Sequence, residues 1–82
     1  MDYTIAYTKS PFTDRLVAIN KSGNQYYLSF SDTSEHVGGC SGHFRSFDAA
    51  IERYMVLSEY IVRHYYSSKQ LTEMVRAEGE EI

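Results

Sequence analysis

The hydrophobic period of this chain of 82 residues changes once. Over residues 3–9 and 25–31 apolar and polar residues alternate; from Phe47 onward apolar residues recur every three or four positions. Alternation is the signature of a strand with one buried face, and spacings of three and four that of a helix with one buried face. A chain that spends its first half on strands and its second on helices has few ways to bury both apolar sets. The simplest is an antiparallel sheet with a helix laid across one face, which is the α+β class.

The first strand is read in "YTIAYTK", with Tyr3, Ile5 and Tyr7 on one side and Thr4, Ala6 and Thr8 on the other. "SPFTD" holds the only proline and ends it. "RLVAINK" and "QYYLSFS" follow as strands joined by the glycine-centred turn "SGN", a hairpin signal. In the latter, Tyr26, Leu28 and Phe30 share a face. "DTSE" reads as a turn. A short fourth strand is expected in "CSGHFRSF", with the sheet spanning about residues 2–45.

Ser46 or Asp48 caps a long helix expected over about 47–66. Its stripe is Phe47, Ile51, Tyr54, Ser58, Ile61 and Tyr65, widened by Ala50, Leu57 and Val62. "SSKQ" has the capping-box form, Ser67 with Gln70, and starts a short helix over about 68–78 with Leu71, Met74 and Val75 on one side. Gly79 ends it, and residues 79–82 form an acidic tail expected to fray. One domain is expected at this length.

Composition narrows the function. A single cysteine forbids an internal disulfide and fits a reducing cytoplasm. The first residues have neither a basic region nor an apolar run, so no signal peptide is expected there. No apolar stretch is long enough for a membrane span. A net charge of −3, with no basic segment, argues against direct nucleic-acid binding. Eight tyrosines are many for this length, and tyrosine suits half-buried surfaces and protein interfaces.

"EHVGGCSGHF", residues 35–44, concentrates the chemically active side chains. His36, Cys40 and His43 are zinc-ligand types, with Glu35 or His64 as a fourth, but structural zinc sites draw paired ligands from two loops and only one is present. Gly38, Cys40 and Gly42 fit the cysteine form of a nucleophile elbow, with His43 or His64 as base; that elbow needs a large parallel sheet this chain cannot build. A phosphate loop needs lysine where His43 stands. The remaining reading is a bulged approach to the last strand. The glycines at 38 and 39 allow the bulge or a close neighbour, Cys40 and Phe44 face the core, and His43 and Arg45 face out. No catalytic residue, metal ligand or cofactor site is assigned on this basis, and no enzymatic activity is expected.

Val56 and Tyr60 lie off the main stripe of the long helix. They either pack under the second helix or form a protein-binding face with Tyr66. The expected partner-binding residues are therefore His43, Arg45, Val56, Tyr60 and Tyr66. An exposed edge strand and a modest core also favour a homodimer.

The layout, with "SGNQYYLSFS" as a hairpin strand and "FRSFDAAIERYMVL" as strand-to-helix, resembles that of small phage-encoded inhibitors of bacterial defence, the anti-CRISPR proteins. The resemblance is one of architecture and carries over no residue roles. It implies a cytoplasmic inhibitor that sits sterically on a protein complex of the bacterial host, such as a CRISPR–Cas effector. The alternatives are a small nucleic-acid-binding domain using Lys9, Arg15, Lys21 and Arg45, and a Cys/His metal-binding protein.

Overall fold

The computed structural model describes residues 1–79. Its elements are β1 (Asp2–Lys9), β2 (Arg15–Ser22), β3 (Gln25–Asp32), β4 (Val37–Cys40), α1 (Phe47–Arg63) and α2 (Ser68–Ala77). The strands form one antiparallel meander in chain order. Both helices lie on the same face of it, α1 across β1 to β3 and α2 across β3 and β4. This is the α+β architecture expected, a long helix followed by a shorter one. Of the acidic tail, residues 80–82 lie outside the described residues.

The β2–β3 hairpin closes where Ser22 pairs with Gln25, and Gly23 takes the positive φ of 60° that the turn demands. The helix-side face of the sheet presents Val17, Ile19, Leu28 and Phe30, paired across strands as Val17–Phe30 and Ile19–Leu28. Ala50, Tyr54, Leu57 and Ile61 of α1 close over them, and Leu71 and Val75 of α2 complete the cluster. The Tyr54 hydroxyl, 2.8 Å from Thr8 Oγ1, keeps a polar partner inside this core.

Two register shifts make the strands differ from simple alternation. In β1, Thr4 pairs with Asn20 and Ala6 with Ile19, so Ile5 is an extra residue. Tyr3 and Tyr7 therefore lie on opposite faces rather than sharing one, and Tyr7 is 65% exposed. The second shift follows β4. Cys40 pairs with Ser29, whereas Phe44 bridges Tyr26, leaving one residue too many on the later segment. Phe44 faces the core as expected, but Cys40 is exposed on the opposite face, contrary to expectation. The strand itself lies earlier than read, at Val37–Cys40. The bulge sits after the two glycines, where Ser41 turns inward: its hydroxyl accepts the Leu28 amide at 2.8 Å and donates to the Gly42 carbonyl at 2.7 Å. The glycines serve a close approach instead, since a Cβ on Gly39 would stand 2.7 Å from Arg76 Nε.

Helix α1 starts as expected, with the Ser46 hydroxyl accepting the Ala49 amide. It ends earlier than expected, at Arg63, because His64 adopts the left-handed conformation (φ 57°) and its amide closes on the Tyr60 carbonyl. A histidine does here what glycine does at most such ends. The early end takes Tyr65 off the core stripe, leaving it 58% exposed, and Val62 and Phe47 are also exposed. In α2 the capping box is present in full, Ser67 accepting the Gln70 amide while the Gln70 side chain accepts the Ser67 amide. Replacing Ser67 with alanine is expected to lower stability by about 1 kcal/mol, seen as an earlier urea midpoint at unchanged slope.

The two ends of α2 are held separately. At its start, the buried Asp32 carboxylate accepts the Ser68 hydroxyl, the Ser34 amide (3.1 Å) and hydroxyl (2.8 Å) and the Glu35 amide (3.3 Å), with Arg15 Nε 3.9 Å away. Burial by itself pushes this carboxyl up; the hydrogen bonds from Ser68, Ser34 and Glu35 outweigh it and hold it below the ordinary carboxylate value. At the other end, Arg53 of α1 grips Glu78 through two hydrogen bonds of 2.8 and 2.7 Å. The Glu78 carbonyl also takes the Gly42 amide at 2.9 Å.

Candidate functional site

The β1–β2 loop and the α1–α2 turn meet at one end of the molecule. The loop is held from within. Ser10 is buried, and its hydroxyl accepts the amides of Phe12 and Thr13, both at 3.2 Å. Its own amide donates to the Arg15 carbonyl at 2.9 Å, and the Thr13 hydroxyl accepts the Arg15 amide. Pro11 adds a fixed φ. The loop thus presents Phe12 outward, 83% exposed, on a backbone with little freedom.

The α1–α2 turn supplies the neighbouring rings. His64 lies 5.9 Å from Phe12, ring to ring, with Nε2 3.4 Å from Ser10 Oγ. Tyr60 packs between Tyr65 (6.1 Å) and Tyr66 (4.9 Å, edge-on). The Arg15 guanidinium donates to the Tyr66 carbonyl at 2.8 Å and so ties the turn to β2. The result is two groups of rings at this end, Phe12 with His64 and Tyr60 with Tyr65 and Tyr66, with Phe12 and Tyr65 the most exposed of them.

Of the residues expected to bind a partner, Tyr60 and Tyr66 belong to this end. Val56 is half-buried one turn earlier on α1. His43 and Arg45 lie at the other end of the sheet. The His43 ring stacks on Tyr27 at 5.6 Å, its Nδ1 is 2.8 Å from Gln25 Oε1, and Arg45 is exposed on the way into α1. β3 runs from Gln25 to Asp32, a little over 20 Å at the usual strand rise, and separates the two ends. Phe12 was not singled out from the sequence, His64 was weighed there only as a zinc ligand or a base, and Tyr65 only as part of the core stripe. The signal that could have found Phe12 is a large ring placed in a polar turn directly after proline.

The sheet face away from the helices is uncovered. Thr4 donates to Asn20 at 2.8 Å and Asn20 to Ser29 at 3.1 Å, a line of hydrogen bonds across β1, β2 and β3. Tyr27 adds a hydroxyl donated to Asp2, its phenol pushed up first by burial and then by the Asp2 charge. Cys40 and His43 are on this side, whereas His36 sits in the β3–β4 turn. Among the described residues no three His, Cys, Asp or Glu side chains come together as a metal site. The sheet cations are dispersed as well: Lys21 lies over the Tyr26 ring, while Arg15 is at the opposite end of β2 beside Asp32. A shallow depression of about 270 Å³ between His36, Lys69, Thr72, Glu73 and Arg76 is smaller than usual ligand pockets. Arg76 there already donates to the Gly38 carbonyl. No helix among the described residues is long and apolar enough to cross a membrane.

Compared with known protein families, curated proteins and solved structures, the chain matches none of them.

Proposed function

We propose that this domain works by docking on a protein partner through Phe12, Tyr65 and Tyr66 and blocking the surface it covers. The observation that carries the reading is Phe12, an exposed ring on a loop fixed by the buried Ser10. Affinity in protein interfaces concentrates in a few aromatic anchors, and an anchor held in its bound geometry loses little entropy on binding. Tyr65 and Tyr66, in the turn that brings His64 against Phe12, add the residue type most favoured at such interfaces. The architectural resemblance to anti-CRISPR proteins directs the choice of partner to a bacterial defence complex, met in the cytoplasm of the host cell.

Titration calorimetry against purified CRISPR–Cas effector complexes tests this. The expected result is binding of micromolar affinity or better. Phe12→Ala weakens it roughly 30-fold, the loss of one anchor of about 2 kcal/mol. His43→Ala, at the far end, leaves it unchanged. Absence of binding, or binding indifferent to Phe12, sinks the reading.

A further inference from the structure

We propose that β1 pairs with β1 of a second copy of this chain, antiparallel about a twofold axis between Ile5 and Ala6, joining two sheets into one of eight strands. This stands apart from the docking reading above. β1 is an end strand of the sheet, eight residues long, while the other end strand, β4, has four. Exposed edges are usually blunted by mid-strand charges, proline, bulges or short length. Of these β1 has only the bulge at Ile5. Its middle presents Tyr3, Ile5 and Tyr7, 56%, 39% and 65% exposed, and its charges stand only at the ends, Asp2 and Lys9.

The bulge at Ile5 selects the register. Residues that face each other across an antiparallel pair must project to the same face of the sheet. Before the bulge, Asp2 and Thr4 project to the open face, where they meet Tyr27 and Asn20; Tyr3, between them, projects to the helix side. After it, Ala6 and Thr8 project to the helix side, Thr8 meeting Tyr54; Tyr7 and Lys9 project to the open face. Self-pairing must therefore match residues from opposite sides of the bulge. A twofold axis between Ile5 and Ala6 sets Asp2 against Lys9, Tyr3 against Thr8 and Thr4 against Tyr7, and each of these pairs agrees in face. An axis on Ile5 breaks that agreement at Thr4 with Ala6, one on Ala6 breaks it at Thr4 with Thr8, one between Ala6 and Tyr7 breaks it at that pair, and one between Thr4 and Ile5 leaves Thr8 and Lys9 without partners.

The same register is complementary in charge and side chain. Each Asp2 faces the Lys9 of the other copy, twice by symmetry, and Lys9 makes no ion pair among the described residues. The tyrosine–threonine pairs are of the aromatic and β-branched kind that stabilises cross-strand contacts. A twofold, isologous pairing closes on itself and leaves no free β1 edge.

Sedimentation velocity from micromolar to millimolar concentration tests the proposal. The expected result is a monomer–dimer equilibrium. Lys9→Asp, or Asp2→Lys, sets like charges opposite each other twice and weakens the dimer about tenfold. The double variant Asp2→Lys, Lys9→Asp recovers affinity to within a few-fold of the natural chain. Both side chains are exposed, and unchanged circular dichroism confirms that the variants fold. A monomer throughout overturns the proposal. So does a dimer indifferent to the single reversals, or one that the double reversal does not restore.

Discussion

Asp32→Ala is expected to cost about 3 kcal/mol at neutral pH, the range for breaking a buried charged network by removing one member. The carboxylate is 3% exposed and joins three segments: the β3–β4 turn through Ser34 and Glu35, α2 through Ser68, and β2 through Arg15. Without it, the Ser68 hydroxyl loses its acceptor at the start of α2. Arg15 Nε, buried and with no hydrogen-bond partner among the described residues, loses the carboxylate that balances its charge. The pH dependence follows from the direction of the pKa shift. The folded-state value is depressed below the ordinary carboxylate value of about 3.9. The stabilisation from ionised Asp32 is thus complete well above that value and is lost as pH falls through the folded-state value. Urea midpoints taken from neutral pH into acid should show the gap between the natural chain and Asp32→Ala narrowing. A constant gap would mean that the carboxylate's charge contributes nothing.

Leu28→Ala is expected to cost about 3 kcal/mol, within the range for truncating a fully buried leucine. Leu28 has no exposed surface and sits opposite Ile19 on β3, the strand that both helices cover. No single element can move in to fill the space without leaving another. A chain this short has a total stability of roughly 4–12 kcal/mol, so the variant should melt well below the natural chain in calorimetry. A change under about 1 kcal/mol would show that the interior repacks freely. Met74, half-buried beside the cluster, is the side chain flexible enough to attempt it.

The parts of the fold that were legible are those written in local chemistry. "QYYLSFS" alternates because one face is buried, "SGN" turns because Gly23 accepts a positive φ, and "SSKQ" starts a helix because its two side chains satisfy each other's backbone. The parts that were not legible depend on one residue more or less. Ile5 is extra only in relation to β2, and the register slip between Cys40 and Phe44 exists only in relation to β3. Nothing within either segment announces it. Each slip inverts the faces beyond it, which is how Cys40 came to be placed inside. The end of α1 was hidden because His64, and not glycine, takes the left-handed turn. Asp32 looked like an ordinary turn residue, since its burial follows from the arrival of Ser68 thirty-six positions later. Of the candidate docking surface, Tyr60 and Tyr66 were visible as surplus aromatics on a helix. Phe12 was not, because its importance comes from the rigidity that Ser10 gives the loop.

The meander order also bears on how the chain comes together. Each strand lies beside its predecessor, across connections that run only over residues 10–14, 23–24 and 33–36. Closing such short loops costs little chain entropy, and structures rich in local contacts assemble quickly. The long closures come with α2, through Asp32 to Ser68 and Arg53 to Glu78. On closure entropy alone the sheet is expected to form first and α2 to settle last. Until it does, Gly39 and the strand edge beneath it face water.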